Sequence, residues 1–130
     1  MSKIYLSNRD SLLCIDVDSI AVLKAEGNYT RLFYINQHEI MLTYGIGYLY
    51  EKLSKMKSSD CHFVRLGRSI IINHTYLYKI DLLKQRLELS NQGKDKVAIS
   101  IPKNVLRSYK TSVEKSVLIK KMANKKQELL

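Results

Sequence analysis

The sequence predicts a mainly β fold: a β-rich α+β domain of short, turn-divided strands, with one amphipathic helix between them and one C-terminal helix. Three observations predict it. Short runs of β-branched and aromatic residues are divided by turn residues about every ten positions. The apolar pattern switches once to helical spacing, after Gly45. A second helical stripe opens at Pro102.

Taken in order, Ile4-Tyr5-Leu6 and Leu12 to Asp16 flank the turn-rich stretch Ser7 to Ser11 and read as a hairpin. Ile20 to Ala25 is a strand broken by Gly27-Asn28; Thr30 to Ile35 resumes it, and Glu39 to Leu42 follows the turn Asn36-Gln37-His38. From Gly45, the residues Ile46, Leu49, Tyr50, Leu53 and Met56 fall on one face of a helix, with Ser58-Ser59-Asp60 as its stop. Phe63 to Leu66 and Ser69 to Ile72 are strands joined through Gly67-Arg68. Tyr78 to Leu83 pairs with Leu87-Glu88-Leu89, and Val97-Ala98-Ile99 follows the turn Ser90 to Gly93. In the last helix Ser100 or Ile101 lies near the cap and Pro102 in the first turn, where a missing N–H costs nothing. Its stripe is Val105, Leu106, Tyr109 and Val113; beyond Lys115 the pattern blurs, which predicts fraying into a mobile basic tail.

A chain of 130 residues with 45% hydrophobic and 26% charged residues is long enough for one core and too short for two ordinary domains. The expected division is a folded domain over residues 1–110 and a helix extension with a basic tail over 111–130. The formal charge of +10 is one-sided. Residues 1–62 carry seven basic and seven acidic side chains, whereas Pro102 to Leu130 carries eight basic and two acidic, a net +6, leaving +4 for Phe63 to Ile101. A one-sided basic surface suits a polyanion, because neutralised phosphates release condensed counterions. A lysine-rich tail that is merely solubilising fits the tail equally well.

Catalysis and metal binding find no support in the sequence. His38, His62 and His74 stand apart from one another, and Cys14 and Cys61 match no metal-ligand spacing. Asp16 and Asp18 flank a turn and read as its polar residues. There is no glycine-rich phosphate loop. No catalytic residue, metal, cofactor or small-molecule substrate is therefore expected. No signal-like run opens the chain and no apolar run approaches the ~20 residues of a membrane span, so a reduced cytoplasmic setting without membrane contact is the expectation.

Two segments carry a family resemblance. VLKAEGNYTRL, Val22 to Leu32, looks like the strand, turn and strand that open a LytTR domain; FVRLGRSIIIN, Phe63 to Asn73, is similar to that family's F-x-R-x-H-R-S-x-I-V-N core. The second is the stronger match, and with the intervening helix and following hairpin the resemblance covers roughly Ile4 to Tyr109. It implies a fold of antiparallel strands in small stacked sheets and a bacterial transcription regulator, related to response regulators, that binds duplex DNA through loops and strand ends rather than a recognition helix. The family usually places the domain after a receiver phosphorylated on Asp; the stretch before Val22 is too short to hold one. By position, the first reading loop is Gly27-Asn28-Tyr29, the second Gly67-Arg68-Ser69 and the third Pro102-Lys103-Asn104, with Arg65 and Ser69 as phosphate contacts. The resemblance also implies two copies, a homodimer on DNA, engaging repeated half-sites. One position departs: Gly67 stands where the family usually has His.

The residue chemistry at these places suits DNA on its own terms. Arg68 presents a fork of donors for guanine O6 and N7, and Asn28 or Asn104 matches adenine N6 and N7. Arg65, Ser69 and Lys103 suit phosphate oxygens, which hold register without reading bases. Other readings stand beside these. Asn28 after Gly27 is what an ordinary turn wants; Arg65 meets either a phosphate or one of the chain's acids; Tyr29 is expected in the core, with base or sugar stacking as the alternative; Asn73 reads as a turn or helix cap. Gly67 either lets the backbone approach DNA or loosens its turn. Two rival functions also fit: a protein-interaction β module, which would show shallow salt dependence with DNA, and an RNA-binding β module stacking bases on tyrosines.

Overall fold

The computed structural model describes residues 2–56, 62–92 and 94–128, with side chains to Val117. A central antiparallel sheet of five strands organises the chain, in the order β5-β4-β3-β7-β6. Its members are β3 (Ile20–Glu26), β4 (Tyr29–Tyr34), β5 (Glu39–Leu42), β6 (Phe63–Leu66) and β7 (Ile70–Asn73). Because side chains alternate across a strand, a sheet covered on both faces needs apolar residues at successive positions. That is why Ile70, Ile71 and Ile72 run together: all are buried, Ile71 into one core and its two neighbours into the other.

One face is covered by the hairpin of β1 (Lys3–Ser7) and β2 (Leu12–Asp16) and by α1 (Ile46–Ser54). There Ile4, Leu6 and Ile15 meet Leu23, Leu32 and Ile71 of the sheet and Leu49 and Leu53 of the helix. Over the other face lies a three-stranded sheet, β8 (Leu77–Asp81), β9 (Arg86–Ser90) and β10 (Lys96–Ser100), with α2 (Lys103–Glu128). Its core joins Val22 and Ile72 to Leu87, Leu89, Ile101, Leu106 and Tyr109. The predicted β-rich α+β class, with small stacked antiparallel sheets and two helices, is the observed one.

Boundaries differ from expectation at three places, each for a local reason. The first helix ends at Ser54, whose hydroxyl donates back to the Tyr50 carbonyl at 2.7 Å, yet Met56 still packs on the same core. The predicted stop at Ser58-Ser59-Asp60, like Cys61 and Gly93, falls outside the described residues. Strand β4 starts at Tyr29, which pairs with Glu26, because Gly27 takes a φ of +61° and closes the turn in two residues. The last helix continues to Glu128 where fraying was expected beyond Lys115. No glycine or proline interrupts Lys103 to Glu128, and Lys110 pairs with Glu114 one turn on, at 2.7 Å.

Asn73 is the cap the sequence suggested. It is fully buried; its Oδ1 accepts the Thr75 N–H at 3.1 Å and its Nδ2 donates to the Ile20 carbonyl at 3.0 Å. The side chain thus ties the end of β7 to the start of β3. Asn73→Ala is expected to cost ~1–3 kcal/mol in urea unfolding, because it leaves the buried Ile20 carbonyl without that donor.

Candidate nucleic-acid interface

The three loops singled out in the sequence come from separate stretches of chain, and the sheet brings them to one end. Strand β3 runs toward the Gly27-Asn28 turn, and β7, antiparallel to it, starts from the Gly67-Arg68-Ser69 turn. The Ala25 N–H donates to the Ser69 carbonyl at 2.8 Å, joining the first loop to the second. A side chain built at Gly67 would meet Val105 Cγ2 at 3.8 Å, so the second loop lies against the first turn of α2. Pro102-Lys103-Asn104 opens that helix, with the Leu106 N–H bonded to the Pro102 carbonyl at 3.0 Å.

Every residue proposed to touch DNA is solvent-exposed. Asn28, Arg65, Arg68, Ser69, Lys103 and Asn104 all face water. Tyr29, expected in the core, is 52% exposed; it takes the first position of β4 at the rim of the sheet, where no layer covers it, and this corrects the core expectation. Gly67 has room for a side chain, so space does not demand glycine there; its φ of +69° does.

Arg65 has a partner that the sequence could not name. Its guanidinium donates to the Arg68 carbonyl at 3.1 Å and lies 5.8 Å from the centre of the Tyr50 ring. It therefore braces the backbone of the second loop and leaves the Arg68 side chain free to project. No ion pair to Arg65 occurs among the described residues. At the first loop, Arg31 holds Glu26 through two hydrogen bonds of 2.7 and 3.1 Å and reaches Glu39 at 2.9 Å. The hydrogen bond from Arg31 is the main reason the Glu26 carboxyl titrates below its ordinary value. A carboxylate that would repel phosphate near the loop is thereby paired.

Behind the second and third loops a cleft of about 510 Å³ separates β6 from α2, lined among others by His62, Arg65, His74, Ser108 and Tyr109. The Tyr109 hydroxyl and His74 Nδ1 are 2.5 Å apart. Burial pushes the Tyr109 phenol well above its ordinary pKa. A group whose pKa is raised on folding supports the fold fully below its unfolded value and loses that support as pH rises toward its folded one. Stability is therefore expected to fall above about pH 10, and Tyr109→Phe to flatten that alkaline fall in thermal unfolding.

One neighbour of the loops was missed by sequence reasoning. The turn between β8 and β9 places Lys84, Gln85 and Arg86, all exposed, beside the third loop, where the Ile101 N–H donates to the Gln85 carbonyl at 3.1 Å. The only signal was the +4 excess between Phe63 and Ile101; no sequence pattern tells that this turn abuts Pro102. Among the described residues there is no cluster of metal-binding side chains and no helix long and apolar enough to cross a membrane. Cys14 is exposed and unbonded to another cysteine.

The LytTr DNA-binding domain family model matches residues 10–111. The chain belongs to the LytTr DNA-binding domain family. A solved structure of similar fold is the LytTr DNA-binding domain of a Bacillus cereus protein described as a putative methyl-accepting/DNA response regulator. It is 20% identical, with a TM-score of 0.51, over 85% of this chain and 95% of that one. No curated protein matches the chain. As a LytTr domain the protein is a DNA-binding unit of a transcription regulator, in a family of binding domains rather than of enzymes.

Proposed function

We propose that this LytTr domain reads duplex DNA sequence-specifically through its three loops and so regulates transcription in the bacterial cytoplasm, as a homodimer on repeated half-sites. Residues 1–110 form the binding domain in this reading, and 111–130 extend its last helix as a basic tail. The observation that carries it is the alignment of residues 27–29, 67–69 and 102–104 at one sheet end, linked through Ala25–Ser69 and Gly67–Val105. Loops side by side on one rim meet successive stretches of one DNA face.

The roles divide by chemistry. Arg68 is the guanine reader, with Asn28 and Asn104 as candidates for adenine. Tyr29 stacks on sugar or base at the edge of the first loop. Lys103, Ser69 and Arg65 contact phosphates and hold register; Arg65 does so while bracing Arg68 from below.

Selection of bound sequences from a random duplex pool at two salt concentrations tests the reading. Enrichment of a repeated motif at the higher salt supports specific recognition and measures half-site spacing. Binding that enriches nothing and vanishes as salt rises would leave only a polyanion patch. Lys103→Ala is expected to weaken all duplexes alike and to reduce the slope of log K against log salt by about 0.9, the signature of one lost phosphate contact. Excess single-stranded RNA should fail to compete.

A further inference from the structure

We infer that the β8–β9 turn is a fourth DNA-contacting element, in which Lys84, supported by Arg86, grips a phosphate on the duplex flank beyond the third loop. This rests on the loop reading proposed above and extends its footprint by one strand connection.

Position comes first. The neighbours that align the three loops continue to this turn: a hydrogen bond joins first loop to second through Ala25 and Ser69, Val105 of the helix opened by the third loop stands 3.8 Å from where a Cβ on Gly67 would lie, and a hydrogen bond joins the third loop to the β8–β9 turn through Ile101 and Gln85. Ser100, two residues before the third loop, is also the register partner of Arg86. Residues 84–86 thus adjoin the third loop, within reach of a duplex that extends past it.

The turn is built to hold its shape. Asp81 Oδ1 accepts the Lys84 N–H at 3.1 Å, the Gln85 N–H reaches the Leu82 carbonyl at 3.2 Å, and Gln85 takes a left-handed φ of +50°. Asp81, the one acid of the turn, is thus engaged with its backbone. It also lies across from Arg86 in register, whereas Lys84 stands in the turn itself with no acid opposite it in the strand pairing. Both basic side chains are exposed, and neither forms a salt bridge among the described residues. A held backbone presenting an unengaged ammonium next to a base-reading loop suits a phosphate clamp, which adds affinity and no sequence preference.

The test compares Lys84→Ala with Lys3→Ala, an equal loss of charge on β1, where Lys3 pairs with Asp16 near the other end of the central sheet. The duplex is the one enriched from the random pool; the readouts are the salt slope and hydroxyl-radical protection. Lys84→Ala is expected to reduce the slope by about 0.9, which at ~0.15 M salt is about a fivefold loss of affinity, equal for matched and mismatched sites. Protection of the flank next to the third-loop bases should disappear, and Lys3→Ala should change neither. If Lys84→Ala behaves like Lys3→Ala while Arg68→Ala and Lys103→Ala still weaken binding, the extension is wrong and the three-loop reading stands. If none of these variants alters binding, the three-loop reading falls and takes the extension with it.

Discussion

Leu106→Ala is expected to lower stability by ~2–5 kcal/mol, the largest effect of any substitution considered for this protein. Leu106 is fully buried in the first turns of α2, in a core with Ile72, Leu87, Leu89 and Ile101. Truncating it removes apolar contact and leaves a cavity between the helix, the central sheet and the three-stranded sheet, which meet there. Thermal unfolding should shift down by on the order of 10 °C, with an unchanged urea m-value if the unfolded surface is the same. The third loop rides on this helix, so DNA affinity should fall with it. A loss below ~1 kcal/mol would mean that α2 does not seat on the second core.

Arg68→Ala is expected to have the largest effect on recognition without an effect on folding. Removing a bidentate guanine contact costs ~1–3 kcal/mol of discrimination at one base position, so the variant should tolerate any base there while the other positions keep their preference. The fold should be untouched, because Arg65 braces this loop through the Arg68 carbonyl, which alanine retains. Parallel selection with the wild type and the variant measures it. Unchanged preference at every position would remove Arg68 from the reading role. Lys103→Ala provides the contrast, since a lost phosphate contact lowers all affinities together.

Much of the fold was legible because it is written in short-range patterns. The run Ile70-Ile71-Ile72 announces a strand buried on both faces, and its burial into two different cores is what a pleated strand does with such a run. Gly27 and Gly67 mark turns that need left-handed backbone. Asn73 was recognisable as a cap because its amide competes for nearby backbone groups. The three turns proposed to read DNA could likewise be located as turns, from Gly27, Gly67 and Pro102.

Less legible were the features that depend on which elements become neighbours. Tyr29 looks like a core residue, since aromatic side chains on strands are usually covered; only the layering shows that nothing covers the start of β4. The bond from Arg65 to the Arg68 carbonyl spans three residues, yet it depends on a turn conformation that the sequence permits without requiring. The full length of α2 was underestimated because a weakening apolar stripe says little about a backbone held by good helix formers.

By itself, the sequence determined the period of each element, the turns between elements, the one-sided charge and the family motif. Each depends on residues close together along the chain, where rotamer, φ and hydrophobic pattern act directly. Only the tertiary structure decided that the turns at residues 27–29, 67–69 and 102–104 lie near one another, and that the β8–β9 turn adjoins the last of them. Those relations come from strand register and from packing between layers, long-range contacts whose energies are shared among many side chains, so no local pattern encodes them.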